Sequence, residues 1–251
     1  MSQFAVIFVT VSSAAVIGYF FGSVMTSEIV KLIYKVNPRE HFSKNPGVTN
    51  SVRTFGIAGG VMVLIGDMTK VICAILIVRW IFISLPSSSG KTDLVWLIYC
   101  TSFFAALGHA FPVFFKFKGG KCVAVFFGTL ILISPWIAII SMCLFISLAL
   151  ATKYYSVASI VSCFFGTILS FIPYLDFFYL LDGLIKHSKT TFWYATYAEN
   201  KSCILGIGII LLLTWILICL RHRHNIKMLL NKTENKIEIW SKKNDGQHKT
   251  S

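Results

Sequence analysis

Long apolar stretches alternate with short polar strings along this chain, and the polar strings fall where the apolar stretches end. The apolar runs cover about 4–30, 57–84, 94–114, 122–150, 157–181 and 203–220. A helix needs roughly 17–25 apolar residues to cross the hydrocarbon core of a bilayer, so each run predicts membrane-spanning helix. The first run is broken up by Gly18 and Gly22. The fourth, 122–150, is nearly unbroken but carries Pro135, and a proline inside a helix removes a hydrogen bond and clashes with the turn before it. Two short helices meeting near Ser134-Pro135 are therefore expected within 122–150, each ~14 residues and shorter than an ordinary span.

Charge placement supports that reading. If 122–150 crossed once, Lys116, Lys118 and Lys121 would lie on the opposite side from the basic segment that starts at Arg221. If it crosses twice, residues 31–53, 116–121, Lys153 and the C-terminal segment share one side, leaving Lys91, Lys186, Lys189 and Lys201 on the other. Lys and Arg concentrate on cytoplasmic faces, which favours the second arrangement. The expected fold class is all-α: a polytopic membrane protein with seven transmembrane helices, the N-terminus outside and the C-terminus cytoplasmic. Residues 1–234 form one transmembrane domain and 235–251 a cytoplasmic tail. The N-terminal run lacks a basic leader and a clear cleavage site, and is expected to be the first span.

Composition agrees. Of 251 residues, 56% are hydrophobic and 13% charged, roughly half the charged share of a soluble domain. The net charge of +13 suits anionic lipid heads or phosphorylated substrates. No soluble basic domain is present to hold nucleic acid, so none is expected as a partner. The seven cysteines are irregularly spaced with no CxxC pair, and read as small buried apolar residues.

Three polar strings carry the candidate chemistry. In 41–56, Ser43, Asn45, Thr49 and Asn50 surround Pro46-Gly47, a turn that can aim backbone N–H groups at an anion, and Arg53 follows one helical turn later. The plainer alternative is a turn and helix cap followed by a positive-inside arginine. In 108–121, Gly119-Gly120-Lys121 opens a helix, where backbone N–H groups and the helix dipole favour a phosphate. The alternative is a surface turn anchored by lysines and phenylalanines, with His109 a packed or capping residue. In 221–234, His222 and Asn225 share a helix face. The alternative is a basic run that ends a span. Asp67 and Lys70 are spaced as an ion pair within the second run, expected to be structural and to help hold the 41–56 loop. Asp176 and Asp182 are further acids near the membrane. No histidine is followed by aspartate five residues on, and GxSxG, HExxH and acidic clusters for magnesium are absent. Neither a cofactor nor a metal is expected. An enzyme built this way would grip phosphate and orient reactants.

Taken together, FSKNPGVTNSVR (42–53), GHAFPVFFKFKGGKC (108–122) and RHRHNIKMLLNKTE (221–234) resemble the bacterial acyl-phosphate:glycerol-3-phosphate acyltransferase family, PlsY. That family carries GSGNxGxTNxxR, GHxFPxFxxFxGGKG and RHxxNIxRLxxGxE in the same order. The resemblance implies transfer of a fatty acyl group from acyl phosphate to the 1-hydroxyl of glycerol 3-phosphate at the cytoplasmic face of the cell membrane. Products are lysophosphatidic acid and phosphate, made without an acyl-enzyme, as a step of phospholipid biosynthesis.

By motif position, His222, Asn225 and Ser43 are the implied catalytic residues. Asn45, Thr49, Asn50, Arg53, Gly119, Gly120, Lys121 and Ser156 are implied to bind substrate, the two glycines through their N–H groups. The partners are acyl phosphate, glycerol 3-phosphate and the bilayer, with the chain acting as a monomer. Phe42, Lys44, Cys122 and Lys232 stand where the family stretches have glycine, and Met228 where they have arginine.

Acyl phosphate is an activated mixed anhydride, so proximity and charge neutralisation are the expected sources of rate. Either His222 or a substrate phosphate oxygen takes the proton. Spans with Gly18, Gly22 or Gly128 are expected to shape the acyl slot. A transporter of phosphate or organic anions is the alternative reading, and a noncatalytic lipid-binding scaffold the third. A transporter needs polar groups on both sides, whereas here they crowd one.

Overall fold

The computed structural model describes residues 2–85, 92–172, 201–234 and 236. All regular structure among them is helical. Helix α1 spans Gln3–Ser23 and starts where the Ser2 hydroxyl accepts the Ala5 N–H. The chain extends at Val24 and Met25, then re-enters helix as α2, Thr26–Tyr34. The expected first span is therefore two helices, because extended backbone at 24–25 leaves no helical ladder across the joint. Helix α3, Val48–Ser84, is kinked at Gly56, whose φ of 79° only glycine adopts freely. A 3₁₀ segment, Thr92–Tyr99, leads into α4, Cys100–Ala110.

The apolar stretch 122–150 divides at Ser134, giving α5 (Val123–Ile133) and α6 (Pro135–Thr152). Ser134 caps α6 by accepting the Ile137 N–H, and Pro135 sits in its first turn, where the missing N–H costs nothing. The two helices are unequal, at 11 and 18 residues. Helix α7 is Tyr155–Ser170, α8 is Lys201–Arg221 and α9 is Arg223–Leu230. Among the described residues, five stretches are long and apolar enough to cross a membrane: Gln3–Tyr34, Val48–Ser84, Asp93–Phe115, Pro135–Thr152 and Ser202–Arg221. Helices α5 and α7 are apolar but shorter. The expected sixth span continues past the described residues. Asp176, Asp182, Lys91, Lys186, Lys189 and residues 237–251 also lie outside them.

Helices α1 and α4 meet through small residues. A Cβ added to Gly22 would lie 2.1 Å from the Ala105 carbonyl oxygen, and one on Gly108 would lie 2.1 Å from that of Tyr19. Between apolar helices in lipid no hydrophobic gradient drives association, so close backbone approach supplies the dispersion energy. Gly128 of α5 packs likewise on Met68 and Val71 of α3. These glycines are filled helix contacts and open no space themselves, while Val123 and Phe127 of α5, the helix that carries Gly128, line the cavity described below.

One ionic group is buried among the apolar helices. Lys70 Nζ lies 2.9 Å from Asp67, donates 2.7 Å to the Val24 carbonyl and sits 2.9 Å from His109 Nδ1. The Thr26 hydroxyl donates to Asp67 at 2.9 Å. The expected ion pair forms, but it holds the α1–α2 break and the end of α4 in place of the 41–56 loop, because the unpaired Val24 carbonyl and His109 are its nearest polar neighbours.

Candidate active site

The loop before α3 is shaped by its own side chains. Asn45 Oδ1 accepts the Gly47 N–H at 3.1 Å. Asn50 Oδ1 accepts both the N–H and the hydroxyl of Ser43 at 3.0 Å, while Asn50 Nδ2 donates to the Pro38 carbonyl at 2.6 Å. Asn50 is buried with both ends of its amide engaged, so it staples the loop. Arg53 follows on the first turns of α3 and makes no hydrogen bond or ion pair among the described residues.

The second string runs through close backbone contacts. The Gly120 N–H donates to the His109 carbonyl at 2.9 Å, and Arg221 donates to the carbonyls of Gly119 (2.9 Å) and Gly120 (3.0 Å). A Cβ on Gly119 would lie 2.0 Å from the His109 carbonyl oxygen, and one on Gly120 would lie 2.1 Å from His109 Nε2. Neither glycine lines the cavity described below. The Gly120 amide expected to face a phosphate is instead bonded to His109, because the loop packs directly on that residue. Lys121 comes next and reaches across to Asn225 Oδ1 at 2.6 Å.

The third string breaks at His222, whose φ/ψ of −93°/2° separates α8 from α9. His222 Nδ1 lies 2.8 Å from the Ile218 carbonyl. A carbonyl can only accept, so Nδ1 carries the proton and Nε2 keeps its lone pair. Burial, with the nearby Lys121 charge, pushes the His222 imidazole down to about 4, against a weaker upward pull from the Ile218 bond. It is a neutral acceptor at pH 7. Asn225 Nδ2 donates 2.8 Å to Glu234, whose other oxygen accepts the Ser156 hydroxyl from the start of α7. Lys121, Asn225, Glu234 and Ser156 thus form one hydrogen-bonded chain. Burial brings the Lys121 ammonium down to about 8; Glu234 opposes this, and Arg221 and Arg53 add to it.

These groups surround a cavity of about 250 Å³. Ser43, Asn45, Thr49, Asn50, Arg53, Lys121, Ser156, His222 and Asn225 all line it. So do the opening residues of α3, α5, α7 and α9, whose N–H groups and dipoles favour an anion. The lining also has apolar side chains, among them Leu64, Val123, Phe127, Met142 and Phe145. Among the described residues, no three His, Cys, Asp or Glu side chains gather closely enough to hold a metal ion.

The model of one protein family, glycerol-3-phosphate acyltransferase, matches residues 12–232. The chain belongs to the glycerol-3-phosphate acyltransferase family. It is 36% identical over 231 residues to the family member of Mycoplasma pneumoniae, covering 88% of this chain and 92% of that one. A relative from Mycoplasma capricolum is 37% identical over 251 residues, 93% and 95% of the two chains. Crystal structures of PlsY, an integral membrane glycerol 3-phosphate acyltransferase, in its glycerol 3-phosphate and lysophosphatidic acid forms match with a TM-score of 0.68. Identity there is 26%, over 93% of this chain and 96% of theirs.

Family membership makes four substitutions informative. Phe42 (φ 49°), Lys44 (φ 55°), Cys122 (φ 66°) and Lys232 (φ 56°) stand where the family stretches carry glycine, and all four adopt left-handed backbone. Left-handed backbone is the conformation that glycine adopts at least cost, and here side-chain-bearing residues adopt it. Glu234 and Asp67 also line the cavity and were not singled out as site residues from the sequence. Glu234 closes the family's third stretch, which was the available signal. Asp67 carried only the signal of a charge inside an apolar run.

Proposed function

We propose that this chain transfers a fatty acyl group from acyl phosphate to the 1-hydroxyl of glycerol 3-phosphate, releasing lysophosphatidic acid and inorganic phosphate. The observation that carries the reading is one cavity lined by two kinds of residue. Arg53, Lys121 and four helix starts line it together with apolar side chains suited to an acyl chain. Seven crossings, with this cavity on the cytoplasmic side, are part of the proposal. Lys121, before α5, and Ser156, after α6, line the same cavity, which suits an out-and-back path for 122–150.

Two phosphate-bearing substrates repel each other. Like unit charges ~4 Å apart repel by about 4 kcal/mol at an effective dielectric of 20. Arg53 and Lys121 offset that repulsion and hold both esters. The 1-hydroxyl oxygen attacks the acyl carbonyl carbon. A C–O ester bond forms, and the bond from that carbon to the phosphate oxygen breaks. His222 Nε2 accepts a hydrogen bond from the hydroxyl and orients it. An imidazole near 4 is a weaker base than a phosphate ester, whose second ionisation is near ~6. The proton therefore ends on a phosphate oxygen. Proximity supplies most of the rate.

The test mixes purified protein in detergent with glycerol 3-phosphate and either palmitoyl phosphate or palmitoyl-coenzyme A. Lysophosphatidic acid formed from the first donor alone is the expected result. Product from the thioester alone, or none from either, rejects the donor assignment.

A further inference from the structure

The buried group of Asp67, Lys70 and His109 does more than hold helices together. Its three members sit on α3 and α4, and Asp67 and His109 reach the inner wall of the reaction cavity. Charges at such positions are costly in an apolar bundle, so their presence asks for a reason. Lys70 has three N–H donors and three partners: the Val24 carbonyl at 2.7 Å, Asp67 at 2.9 Å and His109 Nδ1 at 2.9 Å. An ammonium only donates, so His109 Nδ1 is an acceptor and the ring is neutral with its proton on Nε2. That Nε2 edge abuts Gly120 at a distance no side chain would survive. The His109 carbonyl, in turn, accepts the Gly120 N–H at 2.9 Å. Gly119 and Gly120 pass the restraint to Arg221 through their carbonyls, and Arg221 directly precedes His222.

We infer that Asp67, Lys70 and His109 are positioning residues for acyl transfer. Lys70 sets the ring of His109, His109 seats Gly120, and the seated loop fixes Lys121 on one side and His222 on the other. Asp67 keeps the ammonium in place and so acts at one further remove. The inference rests on the proposed reaction at this cavity.

The first test is the double variant Asp67→Asn/Lys70→Met, which removes both charges and avoids leaving one buried alone. A misplacement of about an ångström costs on the order of 10²-fold. The expected result is a rise in KM for glycerol 3-phosphate of roughly tenfold and a fall in kcat/KM of between 10- and 100-fold. A second readout separates positioning from mere stability. Lys121 faces Glu234, Arg221 and Arg53, and its titration is held near 8 chiefly by burial. A loosened loop exposes it, so the alkaline limb of kcat/KM moves up toward the ordinary lysine value of 10.5.

The comparison of His109→Asn with His109→Ala covers the case in which the double variant fails to fold. Asparagine can offer Lys70 an acceptor near Nδ1, so it should retain at least several times the activity of the alanine variant. Equal activity of the two, or a folded double variant with parental KM and an unmoved alkaline limb, overturns the inference. An inactive parent overturns the proposed reaction instead, and the two failures are thereby distinguished.

Discussion

At the scale of single residues, backbone conformation separates what Phe42, Lys44 and Cys122 cost from what they contribute. A left-handed non-glycine residue is disfavoured by about 1–2 kcal/mol, partly offset because glycine loses more chain entropy on folding. Phe42 and Lys44 are exposed, so Phe42→Gly and Lys44→Gly should each stabilise by roughly 0.5–1 kcal/mol, read as a rise in thermal unfolding temperature in detergent. Cys122 is buried, and its thiol donates to the Ala106 carbonyl at 3.2 Å. Cys122→Gly should therefore gain little or lose, which the same melting experiment checks.

His222 makes a second residue-scale case. With Nδ1 bonded to Ile218, only Nε2 can orient the substrate hydroxyl. His222→Ala should lower kcat by about 10- to 100-fold, less than the ~10⁴ at the upper end of general-base catalysis, with His222→Gln falling in between. A 10⁴-fold loss in both variants would make the imidazole the proton acceptor.

At the scale of elements, helix contacts and helix breaks do different work. Gly22 and Gly108 let α1 and α4 touch through their backbones, and a methyl group at either would force a helix to move. Gly22→Ala or Gly108→Ala should destabilise by about 1–3 kcal/mol, as overpacking does. Gly56→Ala meets nothing within 4 Å and carries only the strain of its φ of 79° with ψ of −179°, a region open essentially to glycine alone, about 1–3 kcal/mol. Activity after Gly56→Ala should suffer more than stability, since the kink aims Arg53 and Thr49 at the cavity. Assaying both properties on the three variants checks the contrast. The breaks were partly legible in advance. Pro135 announces the α5–α6 joint, whereas the α1–α2 break at Val24-Met25 has only Gly22, two residues earlier, as a weak mark and is held by Lys70, 46 residues away.

At the scale of the whole molecule, electrostatics around the cavity sets the pH response. Lys121 must be charged to hold phosphate, so kcat/KM should fall as pH rises through about 8 in the free enzyme. Glu234 pulls the Lys121 value up, so Glu234→Gln removes that support and should move the alkaline limb below 8. On the acid side, His222 stays neutral down to about 4, and the limb there should report the substrate phosphates near ~6. Initial rates from pH 5 to 10, with parent and Glu234→Gln, decide both points.

Hydrophobic run length and charge distribution, read along the chain alone, were enough to specify a helical membrane protein. The three polar strings were enough to nominate Arg53, Lys121, His222 and their neighbours, because apolar length and motif order are local, one-dimensional properties. Partner choice is not local. That Asn50 staples a loop, that the Gly120 amide binds His109, that Glu234 links Asn225 to Ser156, and that Lys70 reaches Val24 and His109 all depend on which groups meet after packing. A buried polar group takes whatever partner the tertiary structure brings within ~3 Å, and no spacing in the chain encodes that distance.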